Sequence, residues 1–326
     1  MIYAPKSKIA IASSFEGIVN DGAPECALVS FNAYQEQEPG SFFGRKLTAA
    51  EFNAQYRDDV RVRSFLALRP MVEVAEDYHT IIALIDMYRS DVGRLAANPA
   101  DTEAYHFFVE KARAIRFSPV HDRNRNEFGS KDGLFYKERK ALQDADYNAW
   151  LNMQAPFDDT LPQFRALVDT QTRVAGAPTP YTAVRSGLVP WFATSKDEAS
   201  AYALCQFYAK VMKLDPGDVG EDGTQTCMIT RDRIIGLEHT RDKVEQMKII
   251  SREEDIPRTQ VWRLNDRYDP KQQQQLFDNG FVVQFFLPGY AAPHEIEAAK
   301  SDKLVRTLDR QHFAEQLAAY AEQWGF

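Results

Sequence analysis

Two kinds of hydrophobic spacing divide this chain. Near its start, the continuous apolar run Ile9–Ala12 gives way to a polar turn, Ser13-Ser14-Phe15-Glu16-Gly17, and then to Ile18-Val19-Asn20-Asp21. That order predicts a buried first strand opening onto a glycine-containing loop. Between Gly22 and Thr160 strand signals are few and helical spacing dominates. Ala23–Tyr34 repeats at helical intervals through Leu28, Phe31 and Tyr34, and Pro70–Ser90 carries the stripe Val72, Ala75, Tyr78, Ile82 and Ile85. Asp101-Thr102-Glu103 reads as an N-cap for a helix over Asp101–Ile115, whose apolar face is Tyr105, Phe108, Val109 and Ala112. Gly133–Met153 holds Phe135, Leu142, Tyr147, Trp150 and Leu151 at similar spacing. His121–Asp132, HDRNRNEFGSKD, lacks an apolar stripe and is read as a solvated loop; its basic residues facing an anion is the weaker reading.

From Leu161 the pattern changes. Leu161–Thr172 is helical in spacing, and Ala175–Pro180 is a Gly/Pro-punctuated connection. Leu188–Ala193, LVPWFA, is the continuous apolar run of a buried parallel strand, Pro190 notwithstanding. Beyond it, helical patterns over Asp197–Met212, Asp242–Arg252, Lys271–Asn279 (stopped by Gly280) and Asp309–Gln323 alternate with short strands. Those strands fall at Cys227–Thr230, Gln260–Leu264 and Phe281–Leu287. Alternation of this kind predicts an α/β fold, a parallel sheet with helices on both faces. The expected organisation is an α/β core from residues 1–21 and 161–326, with a mostly α-helical cap, 22–160, inserted after the first strand.

At 326 residues and 44% hydrophobic the chain can bury a sizeable core. A net charge of −8 with no basic run argues against nucleic acid or an anionic membrane surface as main partner. Cys26, Cys205 and Cys227 are too scattered for a disulfide framework or a zinc site, and each reads as a small buried hydrophobe. Lys6 and Lys8 precede only a strand-length apolar run, and no stretch approaches the ~20 apolar residues of a membrane helix. The expectation is a cytoplasmic protein. Neither a G-x-G-x-x-G nor a Walker A sequence is present, which weighs against a nucleotide-binding module.

Four short segments then take on meaning together. KIAIASSFEGIVND, Lys8–Asp21, resembles the first motif of haloacid dehalogenase-like (HAD) phosphatases, roughly hhhhDxDGTLhDS. On that pattern Ser14 stands where the family keeps its aspartate nucleophile, Glu16 where it keeps the general acid/base, Gly17 matches the glycine and Ile18 replaces the threonine. Thr194-Ser195-Lys196-Asp197 after the run Leu188–Ala193 is similar to the second motif, hhhTNKD or hhhTSKD. It implies a phosphate-gripping Thr194 with Ser195 beside it at a helix start; capping of that helix by Thr194 or Ser195 is the plainer role. Lys243 in RDKVEQ occupies the place of the family's charge-offsetting lysine. Val261–Asp269, VWRLNDRYD, is similar to the metal-binding fourth motif, hhhhGDxxxD or hhhhDD. Asp266 matches the principal acid, Asn265 stands where a glycine or second aspartate is usual, and Asp269 falls one residue early for the distal acid. The ordered set spans Ile9–Asp21 and Leu188–Phe286, and it implies a HAD-like Rossmannoid core with a helical cap.

The resemblance also implies what the departures cost. A serine hydroxyl in place of the nucleophilic carboxylate removes both the attacking group and the best ligand for a hard cation, so Mg2+ binding is weakened. Losing a covalent nucleophile costs on the order of 10⁴-fold in rate. The extra methylene of Glu16 displaces its carboxylate by about 1.5 Å, worth on the order of 10²-fold. A pseudoenzyme follows, a degenerate phosphate- or anion-binding or regulatory module whose ligand is a phosphorylated small molecule or phosphate. The alternative is an active HAD-family hydrolase, a small-molecule phosphatase working through Ser14 or Glu16.

Overall fold

The computed structural model describes residues 8–99, 101–163, 167, 188–211 and 229–324. Its main sheet contains β1 (Ile9–Ser13), β4 (Leu188–Ala193), β5 (Ile234–Ile235), β6 (Val261–Asn265), β7 (Gln284–Phe286) and β8 (Val305–Thr307), in the order β5-β4-β1-β6-β7-β8. The two-residue β2 (Asn20–Asp21) and β3 (Ala155–Pro156) form a separate ladder. Every neighbouring pair of the main sheet runs parallel, with Ile9 opposite Leu188 and Ala10 opposite Val261. All residues of β1 and β4 are buried, as a central parallel strand requires. Pro190 is tolerated because β5 pairs only Phe192 and Ala193, so β4 carries a ladder on one side alone at the proline.

The chain forms two compact units, Met1–Asp21 with Pro156–Phe326, and Gly22–Ala155. The second unit is helical: α1 (Ala23–Gln37), α2 (Val60–Leu68), α3 (Glu76–Met87), α4 (Arg89–Ala97), α5 (Thr102–Arg116), α6 (Pro119–Gly129), α7 (Leu134–Ala145) and α8 (Tyr147–Leu151). Asp101 caps α5 as its sequence suggests, accepting from the amide of Ala104. The core of this unit is aromatic, with Tyr78 stacked between Phe65 and Phe135 at ring-centre distances of 5.6 and 5.0 Å. Within that core the buried Glu25 carboxylate accepts two bonds from Arg139, at 2.8 and 2.9 Å.

In the α/β unit, α9 (Glu198–Val211), α10 (Lys243–Glu253), α11 (Pro270–Asp278), α12 (Pro293–Ser301) and α13 (Phe313–Gln323) surround the sheet. Met247 and Ile250 of α10 pack on the face formed by Ala10, Ala12, Trp191, Ala193 and Val261. Alternation along a strand sends Trp262 to the other face, where its ring lies 5.3 Å from that of Tyr320 on α13. The α/β parallel sheet read from the sequence is therefore present, with helices on both faces. Among the described residues no helix is long and apolar enough to cross a membrane.

Several elements depart from their sequence reading. Most of His121–Asp132 is helix rather than loop, lying in α6 with Ser118 as cap and Pro119 in the first turn. That helix has little apolar stripe because one of its anchors is ionic: Arg125 reaches the buried Asp77 at 2.8 Å, as Arg116 does at 2.7 Å. The segment Pro70–Ser90 forms α3 only from Glu76 and breaks at Tyr88, and Gly133–Met153 breaks at Asp146, whose side chain starts α8. Of Cys227–Thr230, the first two residues lie outside the described residues; Ile229 and Thr230 are irregular, and the strand comes later, as β5. Ala175–Pro180 and most of Leu161–Thr172 also lie outside them. The strand expected over Phe281–Leu287 shortens to Gln284–Phe286, and β8 and α12 had no prior reading. In β8 only Val305 is buried, so the apolar signal of this edge strand is one residue long. Cys26 and Cys205 are buried thiols, while Cys227 lies outside the described residues.

Candidate functional site

The chain lays down β1, β4 and β5 outward on one side, then returns with β6 to the other side of β1. Strand order reverses at β1, and the crevice beyond the carboxyl ends at such a switch is where open α/β sheets hold ligands. Ser14, Thr194 and Asp266 each stand one residue past β1, β4 and β6.

Ser13 pairs with Leu264 in the ladder, so Ser14 lies beside Asn265. The Ser14 hydroxyl donates to Asn265 Oδ1 at 2.7 Å. Arg263, two residues before Asn265 and hence on the same face, sends Nη2 to Ser14 Oγ at 3.0 Å and to Asn265 Oδ1 at 2.9 Å. Its Nη1 donates to the carbonyl of Ala12 at 3.0 Å, and its buried Nε has no hydrogen-bond partner. Burial pulls the guanidinium down to about 10, with Asp266 opposing the shift.

Lys243 opens α10, which Asp242 caps through the amides of Val244 and Glu245. Half-buried as a residue, Lys243 turns its ammonium to the carbonyl of Ala193 at 3.1 Å and to Gln246 Oε1 at 3.0 Å. Desolvation first, and then the positive charge of Arg263, lower it to about 7; Asp266 pulls the other way. Two cations thus share one buried region with Asp266.

Thr194 is buried and its hydroxyl accepts from the amide of Lys196 at 3.1 Å, while Ser195 is exposed. Neither supplies the cap of α9. Asp197 does, accepting from Ser200 at 2.7 Å, because its side chain stands three residues before an otherwise unsatisfied amide. Glu16 is engaged by Lys196 Nζ at 2.7 Å and by Asn20 Nδ2, which lies 3.0 Å from each carboxylate oxygen. Tyr208 in turn donates its hydroxyl to Asn20 Oδ1, and burial, then Glu16, raises the phenol well above its usual range.

The loop after β1 is held by backbone geometry. Gly17 adopts φ +80°, and a Cβ there would lie 2.2 Å from Asp266 Oδ2, so only glycine lets the carboxylate pack against it. Gly289 approaches from the other direction; its Cβ would lie 2.0 Å from the Gly17 carbonyl. Arg310 fastens that carbonyl at 3.1 Å and forms an ion pair with Asp159 at 2.7 Å. The Gly17 amide donates to the carbonyl of Asn20 at 3.0 Å.

Asp269 stands apart from this cluster. It is exposed and caps α11, accepting from the amide of Lys271 at 2.9 Å. Among the described residues no group of three or more His, Cys, Asp or Glu side chains is arranged to hold a metal ion. The donors around Ser14 also suit Mg2+ poorly: a hydroxyl, an amide oxygen already accepting two bonds, and a guanidinium beside them. Arg263, Asn20, Gly289 and Arg310 had no reading in the sequence. The signal for Arg263 was a charged residue within an otherwise apolar strand, which burial obliges to find partners.

No family model and no curated protein matches this chain. Solved structures of HAD-like proteins are similar to it. One is described as a predicted phosphatase from Clostridium acetobutylicum, at 10% identity, covering 96% of this chain and 99% of that one, with a TM-score of 0.48. Another is a haloacid dehalogenase-like family hydrolase from Streptococcus pneumoniae, at 11% identity, covering 96% and 98%, with a TM-score of 0.46. The parallel sheet with its reversal at β1 defines the fold independently of these likenesses.

Proposed function

We propose that this protein is a HAD-like module that binds phosphate or a phosphorylated small molecule without the covalent turnover of the phosphatases its motifs resemble. The observation that carries the reading is the state of Ser14. Its proton points to Asn265 and its oxygen accepts from Arg263, so nothing bonded to it is a base. A serine attacks phosphorus only when a base takes its proton or a coordinated metal makes that proton acidic enough to leave to water. Glu16, the acid/base candidate, is tied to Lys196 and Asn20. What the site retains is positive charge, Arg263 and Lys243 near Asp266, with the hydroxyls of Ser14 and Thr194 at the strand ends. Cations paired with hydroxyl donors suit a phosphoryl group.

The test is direct. Calorimetric titration with inorganic phosphate is expected to show binding that Lys243→Met weakens. An aryl phosphate supplied with Mg2+ is expected to show no turnover above background. Robust hydrolysis abolished by Ser14→Ala would replace this reading with a serine-dependent hydrolase. Hydrolysis that survives Ser14→Ala and is lost on Glu16→Gln would replace it with a Glu16-based one.

A further inference from the structure

Arg263 occupies the centre of the first- and fourth-motif residues, and the consequence concerns metal. The two side chains that its Nη2 touches, Ser14 at 3.0 Å and Asn265 at 2.9 Å, stand at the two positions where the resemblance offers carboxylates. The remaining acid, Asp266, is close enough to act electrostatically on both Arg263 and Lys243. We propose that the Arg263 guanidinium serves as a permanent counter-cation in place of a divalent metal, so that the site rejects Mg2+ and takes its anion without one.

Four features support this. The charge balance closes without a metal: neutral Ser14 at a carboxylate position and a guanidinium two residues before Asn265 together add two positive charges, as many as a divalent ion would bring. A divalent cation brought to the same oxygens would meet the guanidinium within hydrogen-bond range and Lys243 beyond it, and like charges in a buried region repel strongly. The guanidinium is also fixed, bonded to the Ala12 carbonyl on the neighbouring strand and only 1% exposed, so it cannot swing aside to admit an ion. Its planar fork still has the buried Nε donor without a partner, and guanidinium is suited to phosphate geometry. The ligand half of the inference rests on the anion-binding reading above; the metal half does not.

Two titrations on the full-length protein separate the halves. Mn2+, a spectroscopic stand-in for Mg2+, is titrated alone and followed by its electron paramagnetic resonance signal. Inorganic phosphate is titrated by calorimetry with EDTA or with excess Mg2+. The wild type is expected to leave Mn2+ free and to bind phosphate equally in both buffers. Ser14→Asp alone is expected to gain no Mn2+ site, because the new carboxylate pairs with Arg263. Ser14→Asp with Arg263→Met is expected to bind Mn2+, since the new carboxylate and Asp266 then stand at the ends of neighbouring strands without the cation. Arg263→Met by itself is expected to lose phosphate affinity by about tenfold or more, the scale of one charge-assisted contact, with Arg263→Lys intermediate. Mn2+ binding by the wild type, phosphate binding that needs Mg2+, or a Mn2+ site in Ser14→Asp equal to that in the double variant would each overturn the inference. If no form binds phosphate, the anion reading falls while the Mn2+ comparison still decides the metal. Should Arg263→Met fail to fold, the wild type and Ser14→Asp decide it.

Discussion

The ion pair between Glu16 and Lys196 separates a structural lock from a catalytic acid/base, and its energetics are asymmetric. The Lys196 side chain is 2% exposed, whereas that of Glu16 is 20% exposed. Removing one partner of a buried pair strands the other charge, at a cost of about 3–5 kcal/mol. Glu16→Met takes its carboxylate from the more deeply buried of the two charges and should cost the more, toward that range. Lys196→Met strands a carboxylate that water can reach and that Asn20 still bonds, so about 2–3 kcal/mol is expected, below the full figure for a buried charge. The double variant leaves no stranded charge and should recover most of the larger loss, since two apolar side chains of similar volume can replace a buried pair. The assay is urea unfolding of all four proteins followed by tryptophan fluorescence, with midpoints compared at equal slope. The reasoning predicts the order wild type, double variant, Lys196→Met, Glu16→Met. Additive losses, or a Glu16→Met cost below that of Lys196→Met, would refute it and return Glu16 to the list of groups available for chemistry.

Other consequences follow from neighbouring residues. Gly17→Ala should destabilise by more than the ~1–2 kcal/mol of a left-handed non-glycine residue, because its Cβ meets the Asp266 carboxylate at 2.2 Å and the Asp266 Cβ at 2.7 Å; adding Asp266→Gly, which removes both contacts, should return part of the excess in the same unfolding assay. Lys243 is charged below about 7, so sulfate, which keeps its charge across neutral pH, should bind less well as pH rises through that value, and calorimetry on Lys243→Met should show a flat profile. The stability sign is opposite: a lysine lowered from 10.5 to about 7 burdens the fold most below about 7 and is relieved as pH rises toward the unfolded value. Lys243→Met should therefore raise the unfolding midpoint most at mildly acidic pH. Asp269→Ala should cost about 1 kcal/mol as a lost helix cap and leave sulfate affinity unchanged.

Much of the architecture was determined by local pattern. Continuous apolar runs such as Ile9–Ala12 and Leu188–Ala193 are buried on both faces and have no other stable place than the middle of a parallel sheet. Side chains with their own amides in reach, such as Asp101 and Asp242, mark helix starts without tertiary help. Helices anchored by charge rather than by an apolar stripe were invisible, and α6 is the example: its Arg125 finds Asp77, 48 residues earlier. The same holds for β8, whose single buried residue cannot announce a strand.

At the site, the sequence by itself determined which residue types stand at the strand ends, including a hydroxyl at Ser14 and a carboxylate at Asp266. Only the tertiary structure decided what those residues do to one another. Lys196, in the segment that resembles the second motif, is committed to Glu16. Asp269, read as a weak metal ligand, is committed to α11. Arg263 lies 249 residues from Ser14 along the chain yet shares its hydroxyl. That bond exists because β1 and β6 are paired in a particular register, and register is a property of two strands and the ladder that joins them. No spacing within either segment encodes it.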